Sequence, residues 1–284
     1  MAATTLTGYL VRDAPWWKVA VAAYAIGGTA SQNLFCAQHE LSHFLAFRRP
    51  LYNRILSFAS NCPLAVPMAT AFRKYHQEHH SHLGVDGWDV DLPTRVEASV
   101  VGNGAAKLLW CFAYQAIYGV RPLLVRPKAP DSADALCLAL VLGFDAAVAH
   151  AWGAKALAYF VAGALLGGGL HPMAGHLIAE HYTFLAGQET YSYYGPLNAL
   201  TYNVGLHNEH HDFPQVGGGG RGGGRGGGGG GRSEGAGGRA TARDPSPRPP
   251  RSRTRACTSC GPSRPSSTPR WPRTRRGCGS SGRF

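Results

Sequence analysis

Charge is scarce in this chain of 284 residues: Asp, Glu, Lys and Arg make up 15% of it, against roughly 25% in soluble domains. Leu, Ile, Val and Met are absent from residues 217–284. A segment with so little to bury cannot offset a backbone ordering cost of about 1–2 kcal/mol per residue. The tail is therefore predicted to be disordered, with its runs RGGGRGGGGGGR and PSPRPPRSRTR. A disulfide framework is also missing. Cys36, Cys62, Cys111 and Cys137 are scattered through apolar stretches, as small buried hydrophobes would be. Cys257 and Cys260 form one CxxC with no second pair to complete a closed zinc site. No basic n-region leads into a short apolar core, so no cleavable signal peptide is expected.

The net charge of +12 is not spread evenly: residues 1–216 hold 13 Lys and Arg against 14 Asp and Glu, whereas residues 217–284 hold 15 Arg against 2 acids. All 13 histidines lie in the first part and 20 of the 38 glycines in the second. Two compositions are joined end to end, giving a domain over 1–216 and a tail over 217–284. A uniformly basic globular protein is excluded. Nucleic-acid binding through the Arg/Gly tail is the alternative from a different class, but Trp271 and Phe284 are the only aromatics there for stacking on bases.

Residues 1–216 read as all-α and multi-pass. Trp16 to about Ala37 is long enough for one crossing, with Trp16 and Trp17 at the interface. Ala135–Gly153 and Ala154–Leu170 suggest a hairpin turning near Trp152–Lys155, with Asp145 and His150 interrupting its first arm. Trp110–Val120 is shorter and ends at Arg121-Pro122, as an interfacial helix would. Leu56–Phe72 is broken by Pro63 and Pro67 and is expected to be re-entrant or to lie along the surface. That arrangement puts Arg48, Arg49, Arg54, Arg73, Lys74, Arg121, Arg126 and Lys128 on one side, the cytosolic one by the positive-inside tendency.

Three histidine clusters carry the chemistry: HELSH at 39–43, HQEHH at 76–80 and HNEHH at 207–211. On a helix, His39 and His43 share a face, and the i, i+3, i+4 spacing of His76, His79 and His80, and of His207, His210 and His211, lets each cluster aim at one point. Eight neutral imidazoles exceed what one ion can hold and suit a pair of transition metals. Glu40, Glu78 and Glu209 are placed to orient the metal-bound rings by accepting their second N–H. HELSH alone also matches the H-E-x-x-H pattern of zinc proteases, with the Glu as general base. That reading leaves the other two clusters unused.

Together the clusters resemble the three histidine boxes of the membrane fatty-acyl desaturase and hydroxylase superfamily. Residues 169–214, GLHPMAGHLIAEHYTFLAGQETYSYYGPLNALTYNVGLHNEHHDFP, with DGWDVDLPT at 86–94 and RPLLVRPK at 121–128, are similar to the sphingolipid delta-4 (dihydroceramide) desaturases. The likeness spans about Val11 to Pro214. It implies an endoplasmic-reticulum membrane enzyme with a di-iron site at the cytosolic face, converting dihydroceramide to ceramide. O2 and electrons from NADH, passed through cytochrome b5 reductase and cytochrome b5, would drive the reaction. A sphingolipid 4-hydroxylase or other membrane di-iron hydroxylase is the nearest alternative.

By box position the resemblance makes His39, His43, His76, His79, His80, His207, His210 and His211 iron ligands. A further ligand is expected from His176 or His181, while His171 is read as structural and His82 is left out. Asp86, Asp89 and Asp91 are placed either to contact the electron donor, to orient box-two histidines or to form a solvated loop. Tyr191, Tyr193, Tyr194 and Asn198 are candidates for lining the substrate path. The resemblance departs at both ends: members carry one more crossing before Trp16 and a folded tail where this sequence turns Gly/Arg/Pro-rich.

Overall fold

A computed structural model describes residues 1–181, 185 and 187–215, and every regular element among them is helical. The tail expected to be disordered and the CxxC at Cys257 lie outside the described residues. The first apolar stretch forms one continuous helical run: α2 (Trp16–Ala22), a π-helical turn (Ala23–Gly28) and α3 (Thr29–Ser42). It is preceded by α1 (Ala2–Val11), whose Thr4 hydroxyl lies 3.1 Å from the Tyr159 hydroxyl.

The expected hairpin forms as α8 (Ser132–Trp152) and α9 (Ala154–Gly167), joined at Gly153 with φ +85°. Glycine takes that left-handed backbone without a Cβ clash. Asp131 starts α8 by accepting from the N–H groups of Ala133 and Asp134, and Asp134 returns a bond to the Asp131 N–H. This reciprocal pair satisfies donors that the first turn would leave open. A core of Val19, Ala23, Val148, Ala156, Tyr159 and Phe160 joins the hairpin to the first run. Gly27 and Gly28 face Gly163 and Gly167, so the two backbones approach closely: a Cβ on Gly167 would lie 2.7 Å from the Gly28 carbonyl oxygen.

The segment broken by prolines is a bent pair. It comprises α4 (Pro50–Asn61), a 3-10 turn (Cys62–Leu64) and α5 (Ala69–Ser81), with a bend of 113°. Buried Asn61 fastens the bend, its side-chain Oδ1 accepting from the N–H groups of Met68 and Ala69.

The stretch from Trp110 gives a longer helix than its sequence suggests. After α6 (Arg95–Val100), α7 runs from Gly104 to Val125, through Arg121 and Pro122. Pro122 sits in the last turn, where its missing N–H removes a single helical bond. Arg121 is not a solvated cation at the membrane edge: its side chain is 2% exposed and is paired with Glu97. Helices α7 and α8 are long and apolar enough to cross a membrane, and each bent pair, α4 with α5 or α9 with Pro172–Ala179, which ends in α10 (Gly175–Ala179), would add a broken span. Large apolar side chains face outward from α7, including Leu108, Leu109, Phe112, Leu123 and Leu124. Such a surface suits lipid.

Candidate metal centre

Box one lies at the end of α3, with His43 as its C-cap; box two lies on α5; box three forms α11 (His207–Asp212). Their imidazoles gather into two groups: His39, His43, His76, His80 and His210, and His79, His181, His207 and His211. Within each group the potential ligand atoms all lie within 4.8 Å of one another.

Boxes two and three do not each aim at one point. His76 and His80 join one group and His79 the other, while His207 and His211 join one and His210 the other. The helical angle accounts for this. At about 100° per residue, positions i and i+4 are some 40° apart, whereas i+3 falls on the opposite side of i. Each helix therefore feeds both groups.

The donor set fits metal ions. Nε2 atoms face one another at 3.1 Å (His76 and His80), 3.1 Å (His80 and His210), 2.8 Å (His181 and His207), 3.1 Å (His207 and His211) and 3.3 Å (His79 and His211). Two nitrogens at right angles on one ion, each bonded at roughly 2.1 Å, lie about 3 Å apart. The Nε2 atoms of His39 and His43 are buried without a hydrogen-bond partner, which costs about 1–3 kcal/mol for each such group. A cation gives those lone pairs a partner. Burial, reinforced by the neighbouring histidines, lowers the pKa of His210 to about 3 and of His211 to about 2, and holds His207 well below the ordinary value. All three are therefore neutral at pH 7, the form that ligates metal.

Carboxylates orient these rings, but only in part those that adjoin them in sequence. Asp89 Oδ1 accepts from His79 Nδ1 at 2.9 Å, with both side chains almost fully buried. Burial alone would raise the Asp89 pKa; hydrogen bonds from His79 and from the N–H groups of Gly84 and Asp91 outweigh it and hold it below the ordinary value. Asp91 Oδ2 lies 3.2 Å from His76 Nδ1, and its Oδ1 accepts from the Tyr118 hydroxyl at 2.9 Å.

Glu40 lies 3.4 Å from His39 Nδ1. Glu78 is turned away from its box and pairs with Arg126 and Lys128. Glu209 accepts from the hydroxyls of Ser192 and Tyr194. Asp86 meets Arg95 at the surface. The orienting role expected of Glu78 thus belongs to Asp89 and Asp91, on the loop after α5.

Of the two extra candidates, His181 joins the second group, while His176 pairs through Nδ1 with Glu180 at 3.0 Å. His171 accepts from the Met173 N–H and packs edge-on against Tyr24, and His82 stacks on Trp88. A small pocket beside His39, His76 and His181 is walled by Phe35, Phe72, Tyr114 and Tyr118. It adjoins cavities of about 400 Å³ and about 500 Å³, and Asp91 borders all three spaces. Tyr191, Tyr193, Tyr194 and Asn198 line none of these spaces. Tyr194 is directed at Glu209, the Tyr191 hydroxyl accepts from the Leu185 N–H, and Asn198 binds the Tyr193 carbonyl.

The fatty acid desaturase family model matches residues 14–217. A sphingolipid delta(4)-desaturase DES1-like protein of Oryza sativa subsp. japonica is 49% identical over 212 residues, covering 75% of this chain and 65% of that protein. The sphingolipid delta(4)-desaturase DES1 of Drosophila melanogaster is 47% identical, covering 74% of this chain and 66% of that protein. The sphingolipid delta(4)-desaturase/C4-monooxygenase DES2 of Homo sapiens is 47% identical, with 75% and 67% covered. The chain spans about two thirds of the length of these relatives. No solved structure matches it. With all three histidine boxes inside the matched region, the chain belongs to the fatty acid desaturase family.

Proposed function

We propose that this chain is a membrane oxidoreductase that introduces a trans double bond between carbons 4 and 5 of the long-chain base of dihydroceramide, giving ceramide. Its setting is the endoplasmic-reticulum membrane, crossed several times, with the site at the cytosolic face. Two irons are its metals, O2 its oxidant, and NADH its electron source through cytochrome b5 reductase and cytochrome b5. The observation that carries this reading is the gathering of five and four imidazoles into two adjoining groups beside apolar cavities. Relatives named for the same reaction support the substrate.

When bound, such a metal pair with O2 supplies the oxidising strength needed to remove hydrogen from an unactivated methylene, which side chains lack. The chain's own residues do the rest. The two imidazole groups hold the ions, and Asp89 and Asp91 fix the tautomers of His79 and His76. Phe35, Phe72, Tyr114 and Tyr118 wall the space beside the histidines, exclude water and place an apolar chain.

Placement decides the product: loss of a second hydrogen from the adjacent carbon gives an alkene, and addition of oxygen gives an alcohol. Small displacements change such partitions. The human relative bears both activities in its name, so sphingolipid 4-hydroxylation is the second reading. The protease reading of HELSH needs one zinc and three ligands, whereas His39 and His43 lie in a group of five.

Expression in cells lacking their own desaturase, followed by lipid profiling, tests the assignment. Ceramide should accumulate, and His80→Ala or His210→Ala should abolish conversion while leaving membrane insertion intact. Unchanged turnover in these variants would refute the ligand assignment. Metal analysis should give two irons per chain; a single zinc would favour the protease.

A further inference from the structure

Two titratable side chains, the half-buried His176 and the buried Glu180, belong to neither imidazole group, yet they lie between one of them and helix α3. Glu180 is 7% exposed. Its Oε1 is 3.0 Å from His176 Nδ1 and its Oε2 is 3.8 Å from His207 Nδ1. That nitrogen of His207 is buried and has no hydrogen-bond partner. The other nitrogen of His207 points into the four-imidazole group, 2.8 Å from His181 Nε2 and 3.1 Å from His211 Nε2. On its far side, His176 Nε2 lies 3.3 Å from Gln32 Oε1 and 3.7 Å from Cys36 Sγ, both buried residues of α3. The Glu180 backbone is also tied, its carbonyl accepting from the Tyr191 N–H at 2.9 Å.

An imidazole that gives one nitrogen to a metal carries its proton on the other, and an acceptor there fixes the ring and strengthens it as a donor. In the four-imidazole group, His79 has Asp89 as that acceptor, and His181 Nδ1 lies 3.4 Å from the Glu189 carbonyl. For His207 the carboxylate in reach is Glu180, and closing the gap to a charge-assisted hydrogen bond takes a shift of roughly 1 Å. His176 has both ring nitrogens engaged within the protein, so its part is to hold Glu180, not a metal.

We propose that Glu180 is a positioning residue for His207, steered by His176 from α3, so that the four-imidazole group selectively depends on this pair. The proposal rests on the reading that each group holds one ion. It goes beyond that reading by assigning the GHLIAEH segment a supporting carboxylate and a histidine that is not a ligand.

The test is an anaerobic Co²⁺ titration of the purified full chain, metal-free in detergent, followed by visible absorption. The unsubstituted protein should bind two ions. Glu180→Gln should bind one ion as before and the second about 10- to 100-fold more weakly. His176→Gln should weaken the second ion in the same direction and, at saturating Co²⁺, retain the absorption spectrum of the unsubstituted protein, because no ligand has been lost. His181→Ala, which removes a ring of the group, should change that spectrum. Unchanged affinities in Glu180→Gln would overturn the proposal, as would equal weakening of both ions or a changed spectrum in His176→Gln. Failure of the unsubstituted chain to bind two ions would instead overturn the two-metal reading.

Discussion

Removing the Glu97 carboxylate should both destabilise the protein and loosen the loop that orients the histidines. Glu97 Oε1 accepts from Arg121 Nη2 at 2.7 Å and from Trp110 Nε1 at 3.2 Å, and Oε2 accepts from Arg121 Nε and the Thr94 N–H, both at 2.8 Å. Arg121 Nη1 reaches on to the carbonyls of Val90 and Asp91 at 3.1 and 3.2 Å. The guanidinium thus fastens the backbone between the two orienting aspartates. Glu97→Ala leaves that buried cation without its counter-charge, which costs about 3–5 kcal/mol. At this chain length the loss corresponds to a fall in Tm of roughly 6–20 °C.

The assay is thermal unfolding in detergent, followed by tryptophan fluorescence. The double variant Glu97→Ala/Arg121→Met should recover much of the loss, because an apolar replacement leaves no unpaired charge. Acidity gives a second readout. Burial alone would raise the Glu97 pKa, but its bonds to Arg121 and Thr94 bring it from 4.5 down to about 2. Its contribution is therefore complete above pH 4.5 and is lost as pH falls toward 2; solvent screening keeps that contribution below about 3 kcal/mol. A single variant melting within 2 °C of the parent protein (a threshold of roughly 1 kcal/mol), or a double variant less stable than the single, would refute the reasoning.

Three other perturbations have definite expected outcomes. Asp89→Asn should weaken metal retention about 10- to 100-fold, measured by competition with a chelator, because His79 loses its charged acceptor. Gly167→Ala should destabilise by about 1–3 kcal/mol in chemical unfolding, since its methyl group would meet the Gly28 backbone, and Gly143→Ala, with open space around it, should not. Acidification of the metal-free protein should lower its stability as pH falls below 6.5, where the unfolded histidines take up protons, and the slope should only begin to ease near pH 3 as His210 titrates in the folded state, since His211 and His207 titrate lower still; a flat profile from pH 7 to 4 would contradict the neutral, buried imidazoles.

The parts of this site legible in the sequence are those that depend on local spacing. His76 and His80, or His207 and His211, meet because four residues bring a helix back to nearly the same direction. The hairpin at Gly153 was legible for a similar reason, as two apolar arms flank a turn. Asp89 and Asp91 were legible as ring partners only as one of three readings of their loop, and Glu180 was not legible at all, because its role depends on where one short helix folds back. Glu78 misled by adjacency: it sits inside its box, yet the helical angle turns it toward Arg126 and Lys128. The length of α7 was hidden by Arg121, a charge that reads as a boundary until Glu97 is known to neutralise it.

The π-helical turn at Ala23–Gly28 has a consequence for the first box. A π turn accommodates one residue more than an α turn, so it resets the rotational phase of everything downstream. One α-helical residue corresponds to about 100°. The bearing of His39 and His43 is thus set some dozen residues upstream, where the helix passes the glycines of α9. A chain shortened by one residue there would keep its hydrophobic character and its HELSH motif, yet turn both rings about a quarter revolution off the shared focus.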